Sequence, residues 1–268
     1  MLRLCVAYDG SGFSGFQVQP GQRTVQGVLE TALGKLANDE VRVRAAGRTD
    51  AGVHALGQVL SLDVPSLDPA MVRRGMPALL PPDVAVVDAQ PADPDFDARR
   101  SALSRTYVYL LWCADAPHPL YRKYAVWPRA RFDVSAAGEA LREVVGTHDF
   151  SSFSRVRSDQ TPERTVLEAY AVSDGPFVRI KVVAESFLHQ MVRSIVGTAM
   201  EIGTGRKGVP WMREVLETRD RSAAGPVAPA HGLTLVDVSY EGVEWPERPA
   251  VTWPWSGLAY ANAQRGCA

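Results

Sequence analysis

The 268-residue sequence predicts an α+β fold in which one order of elements, β-α-β-β-α-β, occurs twice. Two observations lead to this prediction. Segments with the apolar period of a strand and segments with the period of a helix follow each other in that order in each half of the chain. The hydrophobic fraction of 46% and the charged fraction of 22% supply enough apolar material for a core, which excludes a mainly disordered chain.

The first half begins with a buried strand and closes with another. Thr24 is a good N-cap for the helix that follows it, and Asp68-Pro69 combines an N-cap with a proline at the first helical position. The predicted elements are a strand over 2–8, a helix over 25–36, strands over 41–45 and 58–64, a helix over 69–80 and a strand over 84–89.

The second half repeats the order, with a hairpin whose turn is Asp174-Gly175. Its predicted elements are a strand over 106–113, a helix over 135–145, strands over 165–172 and 177–184, helices over 187–202 and 210–218, and a strand over 233–240.

This order is that of a ferredoxin-like unit, and two units can join edge to edge in one antiparallel sheet. We expect the helices on one face of the sheet and a ligand cleft on the other. The units are predicted to span 1–100 and 101–244, followed by an irregular tail over 245–268 that is rich in proline and tryptophan.

Charge and cysteine content narrow the classes of function. Lys+Arg is 29 and Asp+Glu is 30, so a nucleic-acid site would require clustered cations in a near-neutral protein. No apolar run reaches the roughly 18 residues of a membrane-spanning helix, and the first residues lack the layout of a signal peptide. The three cysteines are dispersed and show no zinc-ligand spacing, which favours a metal-free protein of the reducing cytoplasm.

The densest cluster of reactive side chains is the loop 46–55, which connects two predicted strands. It contains Arg48, Asp50 and His54 together with two glycines. Loops on a rigid scaffold commonly carry catalytic groups. A tight turn in which Asp50 bonds the backbone would explain the same residues, so local composition leaves both interpretations open.

The stretch Gly47–Ala55, GRTDAGVHA, resembles the signature of the TruA-type tRNA pseudouridine synthases. The resemblance extends from Arg3 to Tyr240 and follows the order of motifs in that family. The other matching motifs are Tyr8-Asp9-Gly10, Phe13–Gln17, Phe96–Arg99, Arg105-Thr106-Tyr107, His148–Phe153, Phe187–Gly197 and Gly232–Leu235.

The resemblance implies an isomerase that converts uridine to pseudouridine in the anticodon stem-loop of tRNA, at tRNA positions 38, 39 and 40. Such enzymes extrude the uridine, break its N-glycosidic bond, rotate the uracil and rejoin it through carbon. The family uses neither cofactor nor metal. Its members are cytoplasmic homodimers in which one tRNA contacts both subunits, and their sheet is of the pseudouridine-synthase type.

The resemblance also implies roles for individual residues. Asp50 is the catalytic carboxylate, acting at the ribose or at the uracil, and Arg193 is its ion-pair partner. Tyr107 is the active-site tyrosine, although Tyr109 shares its strand face and only the motif prefers Tyr107. The implied substrate-binding residues are Arg48, Tyr107, Phe16, Gln17 and Leu233.

Basic residues that flank these motifs would form an RNA track if they line one cleft. They are Arg42, Arg44, Arg99, Arg100, Arg105, Arg155, Arg157, Arg164, Arg206 and Lys207. Two alternatives remain open at this point: an RNA-binding module without turnover, and a metabolic enzyme with a small anionic substrate. The first predicts no loss of function in Asp50→Ala, and the second predicts no salt-steep RNA affinity.

Overall fold

The computed structural model describes residues 1–155 and 161–245. The first half contains β1 (Leu2–Tyr8), α1 (Val25–Ala37), β2 (Arg44–Ala45), β3 (His54–Leu62), α2 (Pro69–Leu79) and β4 (Val84–Pro91). The second half contains β5 (Ala102–Trp112), α3 (Val134–Arg142), β6 (Gly146–Asp149), β7 (Glu163–Asp174), β8 (Phe177–Ala184), α4 (Met191–Gly203), α5 (Trp211–Thr218) and β9 (Leu233–Tyr240). In neither described part is a helix long and apolar enough to cross a membrane.

The strands form one continuous sheet in the order β4-β1-β3-β9-β5-β8-β7-β6, and β2 pairs with β3 beside this path. The predicted edge-to-edge joining is confirmed, but the sheet is mixed rather than antiparallel, because β3 and β9 pair in parallel. In that pair His54 lies opposite Thr234, and Ala55 lies opposite Leu235. The division at residue 100 stays a prediction, since the sheet runs through both halves.

The predicted elements are present in the predicted order, with one strand added in the second half, and some boundaries are wrong. The predicted helix over 187–202 begins only at Met191, because Gln190 adopts left-handed backbone angles, with φ +59°. Only Arg44–Ala45 of the predicted strand over 41–45 pairs with β3. The strand β6 was not predicted. Residues 246–268 of the predicted tail lie outside the described residues.

Side-chain alternation along β5 separates the two faces of the sheet. Tyr107, Tyr109 and Leu111 point into the main core, which also contains the buried residues of α1 to α5. Val108 and Leu110 point the other way, where Val108 packs against Val236. Leu110 packs there against Ala125 and Phe177. The helices therefore cover one face, as predicted, and the segment around residue 125 covers part of the other.

The loop that joins β2 to β3 is held from below by buried donors. The buried Arg105 guanidinium donates to Ala46 O at 2.9 Å and to Glu185 O at 2.6 Å. Gln58 Nε2 donates to Gly47 O at 2.7 Å. The Tyr8 and Thr49 hydroxyls hydrogen-bond to each other at 2.8 Å. These bonds use the loop's backbone and Thr49, and they leave the Asp50 side chain free to face outward.

The loop after β1 packs against the same segment. Phe16 N–H donates to Thr49 O at 3.0 Å. A Cβ on Gly10 would lie 2.0 Å from Val53 O, so no other residue allows this approach of the two backbones. The 46–53 loop is consequently enclosed between β5 beneath it and the β1–α1 connection beside it.

Burial lowers the pKa of the Arg105 guanidinium. We nevertheless expect Arg105 to stabilise the 46–53 loop strongly, because it donates to buried carbonyl oxygens. Replacing it in Arg105→Ala leaves buried carbonyls without donors, so we expect the free energy of unfolding in urea to fall by about 3 kcal/mol. The matched control is Arg44→Ala, whose exposed side chain makes only a 3.5 Å ion pair and should change stability by less than about 1 kcal/mol. Equal unfolding midpoints for the two variants would contradict this role.

Candidate active site

A cleft of about 1120 Å³ opens beside the 46–53 loop. Gln26 from the first turn of α1 lines one side of it, and Met191, Val192 and Arg193 from α4 line the other. Tyr107 from β5 lies between them. The expectation of a cleft on the sheet face opposite the helices is wrong: the cleft lies on the helix-bearing face, in the gap between α1 and α4.

Asp50 and Arg193 form an ion pair in this cleft. Arg193 Nη1 donates to Asp50 Oδ2 at 2.7 Å, and Arg193 Nε donates to Ala228 O at 2.8 Å. The Asp50 side chain is 24% exposed and that of Arg193 is 15% exposed. The guanidinium places a positive charge directly beside the carboxylate. The ion pair expected from the sequence motifs is therefore present, with its cation the less exposed partner.

Arg193 is fixed by a backbone contact along α4. Ala228 N–H donates to Arg193 O at 3.0 Å, so segment 225–228 bonds both the backbone and the side chain of this residue. A Cβ on Gly197 would lie 1.8 Å from Pro226 O. Glycine at this position permits the close approach that places Ala228 beside Arg193.

The second oxygen of the carboxylate faces a histidine. Asp50 Oδ1 lies 3.5 Å from His189 Nε2, and the His189 side chain is 65% exposed. His189 belongs to the loop before α4, where Ser154 Oγ donates to its carbonyl oxygen at 2.8 Å. The two carboxylate oxygens thus have different neighbours, a largely buried guanidinium and an exposed imidazole.

The structure distinguishes Tyr107 from Tyr109. Tyr109 is fully buried and donates its hydroxyl hydrogen to Pro229 O at 2.9 Å. Tyr107 is 8% exposed, lines the cleft, and meets the Phe187 ring edge-to-face with centroids 5.3 Å apart. Burial raises the pKa of Tyr107, and Tyr8 and Asp50 nearby raise it further, so its hydroxyl keeps its proton at neutral pH.

The implied substrate-binding residues also meet in the cleft. Arg48, Phe16, Gln17 and Leu233 all line it, together with Asp50, Tyr107 and Arg193. Arg48 is exposed, whereas Phe16 and Leu233 are buried in the wall. The structure therefore brings together every predicted site residue, while their roles stay predictions.

The basic residues divide into three groups. Those that line the cleft with exposed or half-buried side chains are Arg44, Arg48, Arg99, Arg100, Arg155 and Arg164. Arg105 also lines it, but backbone carbonyls occupy its guanidinium. Three basic residues lie outside the lining. Arg42 pairs with Glu30 and Glu40, and Arg206 pairs with Glu201. Lys207 lies over the ring of Trp211. Arg157 lies outside the described residues.

Thr49 and His54 order the loop. His54 is buried, and its Nδ1 accepts the Gly10 N–H at 3.1 Å. Its Nε2 lies 3.0 Å from Lys123 O and 3.1 Å from His231 O. Burial lowers the pKa of His54, although Asp9 beside it acts in the opposite direction. Within residues 1–155 and 161–245, no group of three or more His, Cys, Asp or Glu residues is placed to hold a metal ion.

Two contacts, one in the site and one beside the loop that carries it, are not indicated by the sequence. His189 lies in the motif Phe187–Gly197, but nothing in the sequence indicates its contact with Asp50, because only the fold brings the two together. Tyr124, whose hydroxyl donates to Asp9 Oδ2 at 2.9 Å, carries no local signal because its partner is 115 positions away.

Comparison with known proteins agrees with this geometry. A family described as tRNA pseudouridine synthase matches residues 4–99 and 140–241. The chain is 44% identical over 243 residues to tRNA pseudouridine synthase A of Geobacillus kaustophilus, covering 90% of this chain and 94% of that protein. It is 46% identical over 246 residues to the same enzyme of Frankia casuarinae, covering 89% of each chain. For that of Ralstonia nicotianae the identity is 43% over 264 residues, covering 96% of each.

The family motifs, the Asp50–Arg193 pair and matches of this length and identity agree with one another. The chain therefore belongs to the tRNA pseudouridine synthase A (TruA) family and is an isomerase that acts on tRNA.

Proposed function

We propose that this enzyme forms pseudouridine at positions 38, 39 and 40 of the anticodon stem-loop, with Asp50 as the catalytic carboxylate. The observation that carries the proposal is the 2.7 Å ion pair between Asp50 and Arg193, placed in a cleft beside Tyr107. The tRNA positions are carried over from the family, whose motifs this chain contains.

The reaction transfers ribose C1′ from N1 to C5 of the uracil. The N1–C1′ bond of uridine breaks, a C5–C1′ bond forms, C5 loses a proton and N1 gains one. Asp50 starts the sequence as a nucleophile, at ribose C1′ or at uracil C6, and both attacks require the ionised carboxylate. Arg193 Nη1 places a positive charge against Asp50 Oδ2 while its Nε donates to Ala228 O.

The target nucleotide has to leave the helical stack before Asp50 can reach it, at a cost of a few kcal/mol. The aromatic and apolar wall of Tyr107, Phe187 and Leu233 offers the extruded uracil a surface on which to pack. Tyr107 donates its hydroxyl hydrogen there, because its raised pKa keeps the phenol neutral. Arg48 is exposed two positions before Asp50, where it can bind the phosphate of the flipped nucleotide.

RNA on either side of the target is bound by the cleft arginines. Asp97 holds the turn that carries two of them, because its Oδ1 accepts the N–H groups of Arg99 and Arg100, each at 2.9 Å. Burial alone would raise the pKa of Asp97, but these hydrogen bonds and nearby arginines lower it overall. The carboxylate therefore stays charged and leaves both guanidiniums to face phosphates.

We place the enzyme in the cytoplasm, where the reduced thiols of Cys5 and Cys113 match a reducing compartment.

Removing the Asp50 carboxylate tests the proposed chemistry. We expect Asp50→Ala and the isosteric Asp50→Asn to lose at least roughly 10⁴-fold in pseudouridine formation on unmodified tRNA transcripts. Affinity for tRNA should stay within about threefold, since phosphate contacts dominate it. Pseudouridine is to be mapped by nucleotide position, so product outside positions 38–40 would refute the site assignment. Activity in either variant would refute the role of Asp50.

The cleft arginines predict a specific salt dependence. In the double variant Arg99→Gln/Arg100→Gln, the slope of log K for tRNA binding against log salt concentration should become shallower by about 2. The matched control is Arg42→Gln/Arg206→Gln, which removes two arginines outside the cleft that already pair with glutamates. Equal slopes for the two double variants would exclude an RNA path along residues 97–100.

We also propose that the enzyme is a homodimer in which one tRNA contacts both subunits, as in the family. Analytical ultracentrifugation should then give twice the 29.1 kDa chain mass. Each bound tRNA molecule should be associated with two subunits. A 29.1 kDa species that is fully active at the same concentration would contradict this.

A further inference from the structure

The reaction requires a group that removes a proton from carbon. Once C5 has bonded to C1′, it carries both the new bond and its original hydrogen. The C5–H electron pair must become the C5–C6 double bond. If Asp50 attacked C1′, the C6–N1 double-bond electrons shift onto N1, which takes a proton from water. If Asp50 attacked C6, the bond between C6 and the Asp50 oxygen breaks and releases the carboxylate, and N1 has already gained its proton when the glycosidic bond broke. This requirement follows from the proposed function and holds for either site of Asp50 attack.

Few groups in the cleft are able to accept that proton. Among the described residues that line it, the ionisable groups other than arginine are Asp50, Asp97, Tyr107 and His189. Asp97 Oδ1 accepts the backbone N–H groups of Arg99 and Arg100, and its Oδ2 pairs with Arg44 Nη1 at 3.5 Å. Tyr107 holds its own proton at neutral pH and so acts as a donor. Asp50 is paired with Arg193 and is already used at the glycosidic bond.

His189 meets the requirements of a general base. Its Nε2 lies 3.5 Å from Asp50 Oδ1, so the imidazole borders the place where the nucleotide meets the carboxylate. At 65% exposure the ring exchanges protons with solvent, which a base must do between turnovers. The loop backbone is held by Ser154 Oγ, which bonds the His189 carbonyl and leaves the ring unconstrained.

We propose that His189 accepts the C5 proton of the rejoined uracil and passes it to water. The C5–H bond breaks to the imidazole, the resulting imidazolium is stabilised by Asp50 Oδ1, and release of its proton to solvent restores the neutral ring. No oxidant, reductant or cofactor takes part in this step. His189 is thus a second catalytic residue beside Asp50, with the two acting at successive bonds.

The test is a single-turnover measurement with prebound enzyme. Unmodified tRNA transcripts containing ordinary uridine or [5-²H]uridine are compared in wild type, His189→Ala and His189→Gln. The matched control is His148→Ala, which removes a histidine outside the cleft lining whose Nε2 lies 3.0 Å from Val145 O. Thermal denaturation and tRNA affinity are measured for each variant, so that misfolding or weak binding is recognised.

We expect both His189 variants to slow product formation by about 100-fold at unchanged tRNA affinity. Proton removal should then limit the rate, so a primary isotope effect on [5-²H]uridine should appear or increase. Added imidazole should partly restore His189→Ala, and His148→Ala should behave as wild type.

Three results would overturn the proposal. Activity retained in His189→Gln would show that a hydrogen bond to Asp50 suffices. Slow variants without an isotope effect or imidazole rescue would assign His189 to another step. Unchanged rates would remove it from the chemistry. Failure of the proposed function is separate, since it would show as no pseudouridine from wild type or as activity in Asp50→Ala.

Discussion

The ion pair between Asp50 and Arg193 is the interaction on which the site depends, and it joins residues 143 positions apart. The carboxylate comes from the first half of the chain and the guanidinium from the second, so neither half completes the ion pair by itself. The parallel pairing of β3 with β9 brings the halves together. That pairing begins at His54 and Thr234, directly after the loop that carries Asp50.

Buried residues beneath Asp50 hold its loop in place and leave the Asp50 side chain in the cleft. Arg105 and Gln58 bond the carbonyl oxygens of Ala46 and Gly47, and Tyr8 bonds the Thr49 hydroxyl. Burial raises the pKa of Tyr8 to about 12, so its hydroxyl keeps its proton at neutral pH. Since these partners are buried, the loop is preorganised before RNA arrives, and little ordering is left for the chemical step.

Local pattern accounts for the order of elements and for the caps at Thr24 and Asp68, which both accept backbone N–H groups as expected. It does not specify contacts made at long range. The period-2 pattern of β5 puts Tyr107 and Tyr109 on one face and does not indicate which of them lines the cleft. In the structure Tyr109 donates to Pro229 O, and Tyr107 lines the cleft. The face of the cleft was predicted wrongly for the same reason, because strand periodicity says nothing about a gap between two helices.

The surroundings of Asp50 differ from one oxygen to the other. Oδ2 accepts from the Arg193 guanidinium, which also donates to Ala228 O and is mostly shielded from water. Arg193 therefore provides a fixed positive charge beside Oδ2. Oδ1 lies 3.5 Å from Nε2 of His189, whose side chain is 65% exposed. In our proposal the guanidinium holds the carboxylate for its attack on the nucleotide, and the imidazole accepts the proton that carbon loses. Asp50 comes from the first half of the chain and both partners come from the second, so the site requires motifs from both halves.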